Sequence, residues 1–593
     1  MPEWDLDDLY PGMDSKALKD DLKTLADGAV AFEAAYKGKL DALLSGESGP
    51  AKLASAIAEM ERLADLFGRL GSYAGLQHAT DMTDANRGKF YQDISEKLTE
   101  ASLKTLFFEL ELNQLSDAAL DSAVAAEPKL AHYAPWLRQV RKEKPYQLED
   151  RVEQLFGEKS VTGRSAWNRL FDETLSDLTF DVDGEPLGLE RTLNLMQDTD
   201  PAKRRSASKA ISATLKDNLK LFTLITNVLA KDKEISDRWR GFEDIADSRH
   251  LSNDVEREVV DALVDSVRRA YPRLTHRYYE MKAKWFGVSA LDHWDRNAPL
   301  PDVAQKTYPW REATDTVLKA YGRFSPELAE VAQPFFDNNW IDVPTRPGKS
   351  PGAFAHPTVP SAHPYLLLNY QGKPRDVMTL AHELGHGVHQ RLAAAQGPLM
   401  APTPLTLAET ASVFGEMLTF RQILEETIDP VARKALLASK VEDMINTVVR
   451  QIAFYSFERK VHDARRDGEL TSDDLCEAWM SVQGESLGPA ITLHDGYEVF
   501  WAYIPHFIHS PFYVYAYAFG DCLVNSLYAV YEQAEEGFAE KYFDMLSAGG
   551  TKHHSELLAP FGLDATDPAF WDKGIGVIER LIDELEDADK AAG

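Results

Sequence analysis

Apolar residues recur at intervals of three and four through most of the first 175 positions, as in LADLFGRLGSYAGLQHA and KFYQDISEKLTEASLKTLFFEL. That spacing puts one apolar stripe along an α-helix, so the region from about residue 14 to 175 reads as a series of helices, punctuated by Pro128, Pro135 and Pro145. The period shortens to two over LTFDVDGEPLG (178–188), where Asp183-Gly184 sits at the centre of a short hairpin signal. This hairpin is a plausible seam: it divides the chain into an N-terminal helical domain over 1–180 and a second domain over 181–593. Helical spacing then returns. Asp200 is placed to cap a helix with Pro201 at its first position, and Asn253, with Glu256 three residues on, to open another. A proline-bearing loop, RNAPLPD at 296–302, interrupts the run.

The stretch 344–376 breaks the helical pattern. It is rich in glycine and proline, and its apolar centre, Tyr365 to Tyr370, is too short for a helix of the kind around it, which predicts a strand or hairpin. Within it, RPGKSPGAF reads either as a connector or as a mobile loop. PYLLLNY reads as an edge strand on which an extended peptide could add by main-chain hydrogen bonds. Helix resumes at about Asp376 and continues with short breaks. The fold class predicted is mostly α, with one small β-sheet.

Charge narrows the function. The 593 residues carry 95 acidic against 64 basic side chains, a formal net charge of −31. A chain so acidic lacks the basic face that nucleic acid or an anionic membrane requires. Cys476 and Cys522 are the only cysteines, which excludes a disulfide framework and a cysteine-based zinc finger. The opening MPEWDLDDLY has no basic or apolar leader character. The longest apolar stretch, FYVYAYAF at 512–519, is far short of the ~20 residues that span a bilayer. The expectation is a soluble, cytoplasmic protein.

Chemistry concentrates at residues 382–389, HELGHGVH. On a helix His382 and His386 stand one turn apart and project from one face, a rigid pair of nitrogen donors that suits Zn²⁺, with Glu383 beside them to take a proton from water. A catalytic zinc needs a third protein ligand and an open position. His389 lies too far along the axis to complete the tetrahedron and is assigned to support of the ligands or to substrate contact. The helical stretch LTLAETASVFGEML (405–418) offers two carboxylates on one apolar face, Glu409 and Glu416. Spacing favours Glu409 as ligand, with Glu416 holding a histidine N–H from behind, but leaves both open.

HELGHGVHQ with AETASVFGE, preceded by HPYLLLNYQGKPRDVMTLA, resembles the M3 family of zinc metallopeptidases, within it the oligoendopeptidase F group. The likeness extends to WDLDDLYPG at the start, RSAWNRLFDETL (164–175) and IPHFIHSPFYVYAYAFG (504–520). It implies a zinc endopeptidase acting on short peptides, with one Zn²⁺ per chain and a deep substrate channel between helical halves. His382, His386 and Glu409 match the family's metal ligands and Glu383 its catalytic base. His506, Tyr513 and Tyr517 match its oxyanion-stabilising side chains, with His509 and Tyr515 as the rival assignment. A metallocarboxypeptidase or dipeptidyl carboxypeptidase on a similar helical scaffold is the alternative. The pattern leaves monomer or homo-oligomer open.

Overall fold

The computed structural model describes residues 1–46, 48–300, 306–533 and 537–592. It is mostly helical, with three small sheets among the described residues. The chain forms two compact units, each discontinuous in sequence. Unit 1 comprises Met1–Pro145, Gln305–Glu426 and Ala534–Gly562; unit 2 comprises Tyr146–Ala304, Thr427–Gln533 and Leu563–Gly593. A division at residue 180 therefore does not coincide with either unit, because residues far apart in the chain share each core. Among the described residues no helix is long and apolar enough to cross a membrane.

Unit 1 opens with three long helices, Lys16–Tyr36, Gly49–Thr80 and Ala85–Thr105, which pack on one another along the apolar stripes read from the sequence. Asp84 starts the third by accepting from the N–H groups of Asn86 and Arg87.

The second part of unit 1 holds a three-stranded sheet. Tyr365–Tyr370 is its central strand, paired in parallel with Ile341–Pro344 and antiparallel with Phe354–His356. The expected edge strand is thus not an edge: Tyr365, Leu366, Leu367 and Leu368 are almost fully buried, which is why that strand reads as an unbroken apolar run. The open edge is Phe354–His356. RPGKSPGAF is fastened to the sheet by side-chain hydrogen bonds. The Lys349 ammonium is buried and donates to the Asp342 carboxylate at 2.6 Å and to the carbonyls of Pro344 and Leu368 at 2.8 and 2.5 Å, and Asn369 donates to the carbonyls of Ser350 and Gly352.

In unit 2 the predicted hairpin is present, Phe180–Val182 against Glu185–Leu187. Asp183 and Gly184 both take positive φ, 54° and 90°, the turn conformation whose twist matches the strands. Asp200 caps the helix Pro201–Asp217 as expected. Asn253 does not open a helix: the next begins at Arg257, and the Asn253 amide instead donates to the Tyr515 hydroxyl at 2.8 Å. Residues 301–302 of the proline-bearing loop lie outside the described residues. The helix Pro568–Ala592 packs along Tyr515–Gln533 and Pro430–Met444, so closely that a Cβ on Gly574 would come within 2.2 Å of the Cys522 carbonyl oxygen.

Candidate active site

The histidine motif lies on the helix Pro374–Ala393 of unit 1. Pro374 suits its first turn, and the Asp376 carboxylate accepts from the N–H groups of Gln371 and Lys373, fixing where the helix leaves the sheet. Val377, Leu380, Ala381, Leu384 and Val388 are buried, so the helix is held by its apolar side. His382 and His386 remain partly exposed, with side chains 27% and 20% accessible.

The third donor arrives because two backbones touch. A Cβ on Gly385 would lie 2.4 Å from the Ala411 carbonyl oxygen and 2.6 Å from the Ser412 Cα, so only glycine permits this approach to the segment after residue 409. Glu409 sits at a break between the short turn Leu405–Ala408 and the helix Thr410–Glu426, where sequence periodicity suggested continuous helix. One carboxylate oxygen of Glu409 lies 3.4 Å from Nε2 of His382 and 3.4 Å from Nε2 of His386. Ligand atoms about 2.1 Å from the centre of a tetrahedron stand about 3.4 Å apart, so these two separations fit a Zn²⁺-sized cation.

The surrounding groups hold the donors. The Glu416 carboxylate lies 3.3 Å from Nδ1 of His382, leaving Nε2 to face Glu409. The Ser412 hydroxyl donates to Glu409 at 2.6 Å. His389 is buried and is not part of the donor cluster; its Nε2 lies 3.5 Å from the Thr403 hydroxyl. Burial works against the charged form of His382, but the carboxylates of Glu416, Glu409 and Glu383 outweigh it and lift its pKa to about 9. Burial would raise Glu409, yet the two imidazoles and Ser412 bring it down to about 2. Glu383 is the contrast. Burial raises it, against the opposing charges of the two histidines.

The residues matched to the oxyanion role lie in unit 2 and form a cluster of their own. His506 Nε2 and the Tyr517 hydroxyl are 3.2 Å apart, and the rings of Tyr513 and Tyr517 meet edge to face at 5.3 Å. Burial, and then the charge of Arg450, hold the His506 pKa below its ordinary value. The rival residues are engaged elsewhere. Tyr515 is fully buried, with its hydroxyl bonded to Asn253 and to His250 at 3.1 Å. His509 Nε2 meets Asp172 at 2.7 Å.

The same segment is clamped by groups that sequence reasoning did not single out. Arg164 donates to the His509 carbonyl at 2.6 Å and Arg249 to the Pro511 carbonyl at 3.2 Å. Glu458 accepts from the N–H of Phe512, which takes φ of 61°. Arg164 and Asp172 both belong to RSAWNRLFDETL, so within unit 2 that motif meets His509 through two of its side chains. Its sequence signal was present; the partner that gives it meaning lies more than 300 residues away.

Residues 194–577 match the family described as Peptidase family M3, and residues 111–180 match one described as Oligopeptidase F. Among curated proteins the chain is similar to oligopeptidase PepF of Bacillus subtilis, 25% identical over 602 residues, covering 98% of this chain and 87% of that protein. Group B oligopeptidase PepB of Streptococcus agalactiae is 28% identical over 529 residues, covering 87% and 86%. A crystallographically solved chain from Chlamydophila abortus superposes with a TM-score of 0.86 at 25% identity, covering 99% of this chain and 98% of that one. Oligoendopeptidase-F from Enterococcus faecium gives 0.71 at 23% identity, covering 97% and 98%, a likeness of fold.

Proposed function

The chain belongs to peptidase family M3 and is a metallopeptidase, and from that premise we propose that it is a zinc endopeptidase hydrolysing internal bonds of short peptides in the cytoplasm. The observation that carries the reading is the convergence of His382, His386 and Glu409, whose donor atoms lie within 4.8 Å of one another. Two imidazoles and a carboxylate are the donor set of a catalytic zinc, one per chain. A zinc ion on these donors supplies Lewis acidity for a peptide carbonyl and brings the pKa of water towards about 7.

Glu383 is the general base. Its carboxylate takes the proton from the attacking water and then delivers it to the departing amine nitrogen. Burial raises its pKa, which moves it towards the range where it can both accept and return a proton. The Phe354–His356 strand offers its outer edge to an extended peptide, aligning the scissile bond through main-chain hydrogen bonds without demanding a particular side chain. His506, Tyr513 and Tyr517 are assigned as donors to the developing oxyanion. That assignment rests on the family resemblance and on their mutual contacts within unit 2.

Glu383→Gln tests the mechanism. The variant should retain stoichiometric zinc while kcat on an internally quenched peptide, blocked at both ends, falls at least 10²–10⁴-fold. Wild-type turnover in that variant would remove Glu383 from the reaction. Failure of the wild-type enzyme to cut the blocked peptide would favour the carboxypeptidase alternative.

A further inference from the structure

Unit 2 contains a polar cavity that the reaction above does not use. It lies beside the π-helical turn Ile445–Val449, a local widening of the helix of the kind that recurs at functional positions. Tyr279, Arg296, Asn446, Arg450 and Gln483 line it. Its volume is about 10 Å³, room for one water-sized sphere.

The cavity carries two guanidiniums and no counter-charge. Among the described residues neither Arg296 nor Arg450 forms an ion pair. Arg296 Nη1 approaches the Tyr497 hydroxyl at 3.5 Å, and Arg450 lies over the Phe454 ring at 5.0 Å. Glu442, one turn before Asn446, is already engaged by the Lys282 ammonium and the Tyr278 hydroxyl, each at 2.7 Å. Both arginine Nε atoms are buried without an acceptor. So are Nε2 of Gln483 and the hydroxyl of Tyr279, on side chains 2% and 0% exposed. The Gln483 carbonyl oxygen accepts from Tyr497, which orients the amide with its donor end unspent. Each orphaned atom on the lining can donate. A buried donor without an acceptor is costly, and a buried cation without a counter-charge more so. Water could accept from two donors but brings no charge.

We propose that this cavity binds a monovalent, halide-sized anion between Arg296 and Arg450, with Gln483 Nε2 and the Tyr279 hydroxyl completing its shell. A space of this size suits a small spherical anion rather than phosphate, sulfate or a carboxylate attached to a chain.

The metal-loaded, full-length protein provides the test. Thermal melts in sodium bromide and in sodium gluconate at equal ionic strength should differ, with a saturable rise in Tm in bromide alone. Crystals grown in bromide should show an anomalous peak between the two guanidiniums. Gln483→Glu places a carboxylate where the ion would sit, so it should melt higher than wild type without halide and lose the bromide response. Arg450→Gln should weaken bromide binding by about tenfold or more, the scale of a charged hydrogen bond; if that variant does not fold, Gln483→Glu still decides. Identical melts in the two salts with no peak in the cavity would overturn the proposal, as would a full bromide response in Gln483→Glu.

Discussion

A ligating imidazole is as good as the group that holds its other nitrogen. In the proposed zinc site, that group for His382 is Glu416, 3.3 Å from Nδ1. Glu416→Gln removes the charge that fixes the tautomer and should weaken zinc binding 10–100-fold, measured by competition with a chromophoric chelator. Affinity equal to wild type would show that Glu416 merely packs there. A second prediction concerns Glu458, whose buried carboxyl has a pKa raised by burial to about 8, from an ordinary value of 4.5. Between those values the folded protein binds a proton that the unfolded chain has released. Its contribution to stability is therefore full below about pH 4.5 and declines as pH rises towards 8, by about 1.4 kcal/mol per unit. Melts from pH 5 to 8 should show that decline flattened in Glu458→Gln; equal slopes in both proteins would refute it. At this scale the sequence was informative where the relevant neighbours were local. His382 and His386 are one helical turn apart, so their partnership is written in the spacing. Asn253 reads locally as a helix start, but the partner that holds it, Tyr515, is 262 residues away.

Among the elements, the proposed metal site depends on the meeting of the histidine helix with Thr410–Glu426. Gly385→Ala puts a methyl group against the Ala411 carbonyl, which is backbone and cannot rotate aside. The helices must separate, costing about 1–3 kcal/mol by the usual scale of overpacking. A lowered Tm together with sub-stoichiometric zinc is expected, and a variant with wild-type values of both would mean that the approach is not needed. Two features of this layer were not legible beforehand. The break at Glu409 interrupts a stretch whose apolar spacing alone suits continuous helix, and it depends on contacts such as the Tyr542 hydroxyl donating to the Thr410 carbonyl. The central position of Tyr365–Tyr370 follows from pairing on both sides, and an apolar run announces burial without naming its neighbours.

At the level of the whole molecule, the mostly helical class and the family followed from periodicity and motifs, whereas the two compact units could not, since each is assembled from three separated segments. Ending the chain after Gln533 removes residues 534–562 from unit 1 and 563–593 from unit 2. The lost helix buries Trp571, Ile575, Ile578, Leu581 and Ile582, each at 0% exposure. Each large apolar side chain of this kind contributes about 1.5–3 kcal/mol, against a total stability of only about 5–15 kcal/mol. That truncated protein should show no cooperative melting transition by calorimetry; a sharp transition near the wild-type temperature would contradict the assignment of these residues to the cores.

This interleaving also governs biosynthesis. A polypeptide leaves the ribosome from its N-terminus, and here neither core is complete until about the last tenth of the chain has been translated. For most of its synthesis the nascent chain therefore carries two unfinished apolar surfaces at once, and it depends on rapid closure or on chaperones to keep them from sticking to other chains.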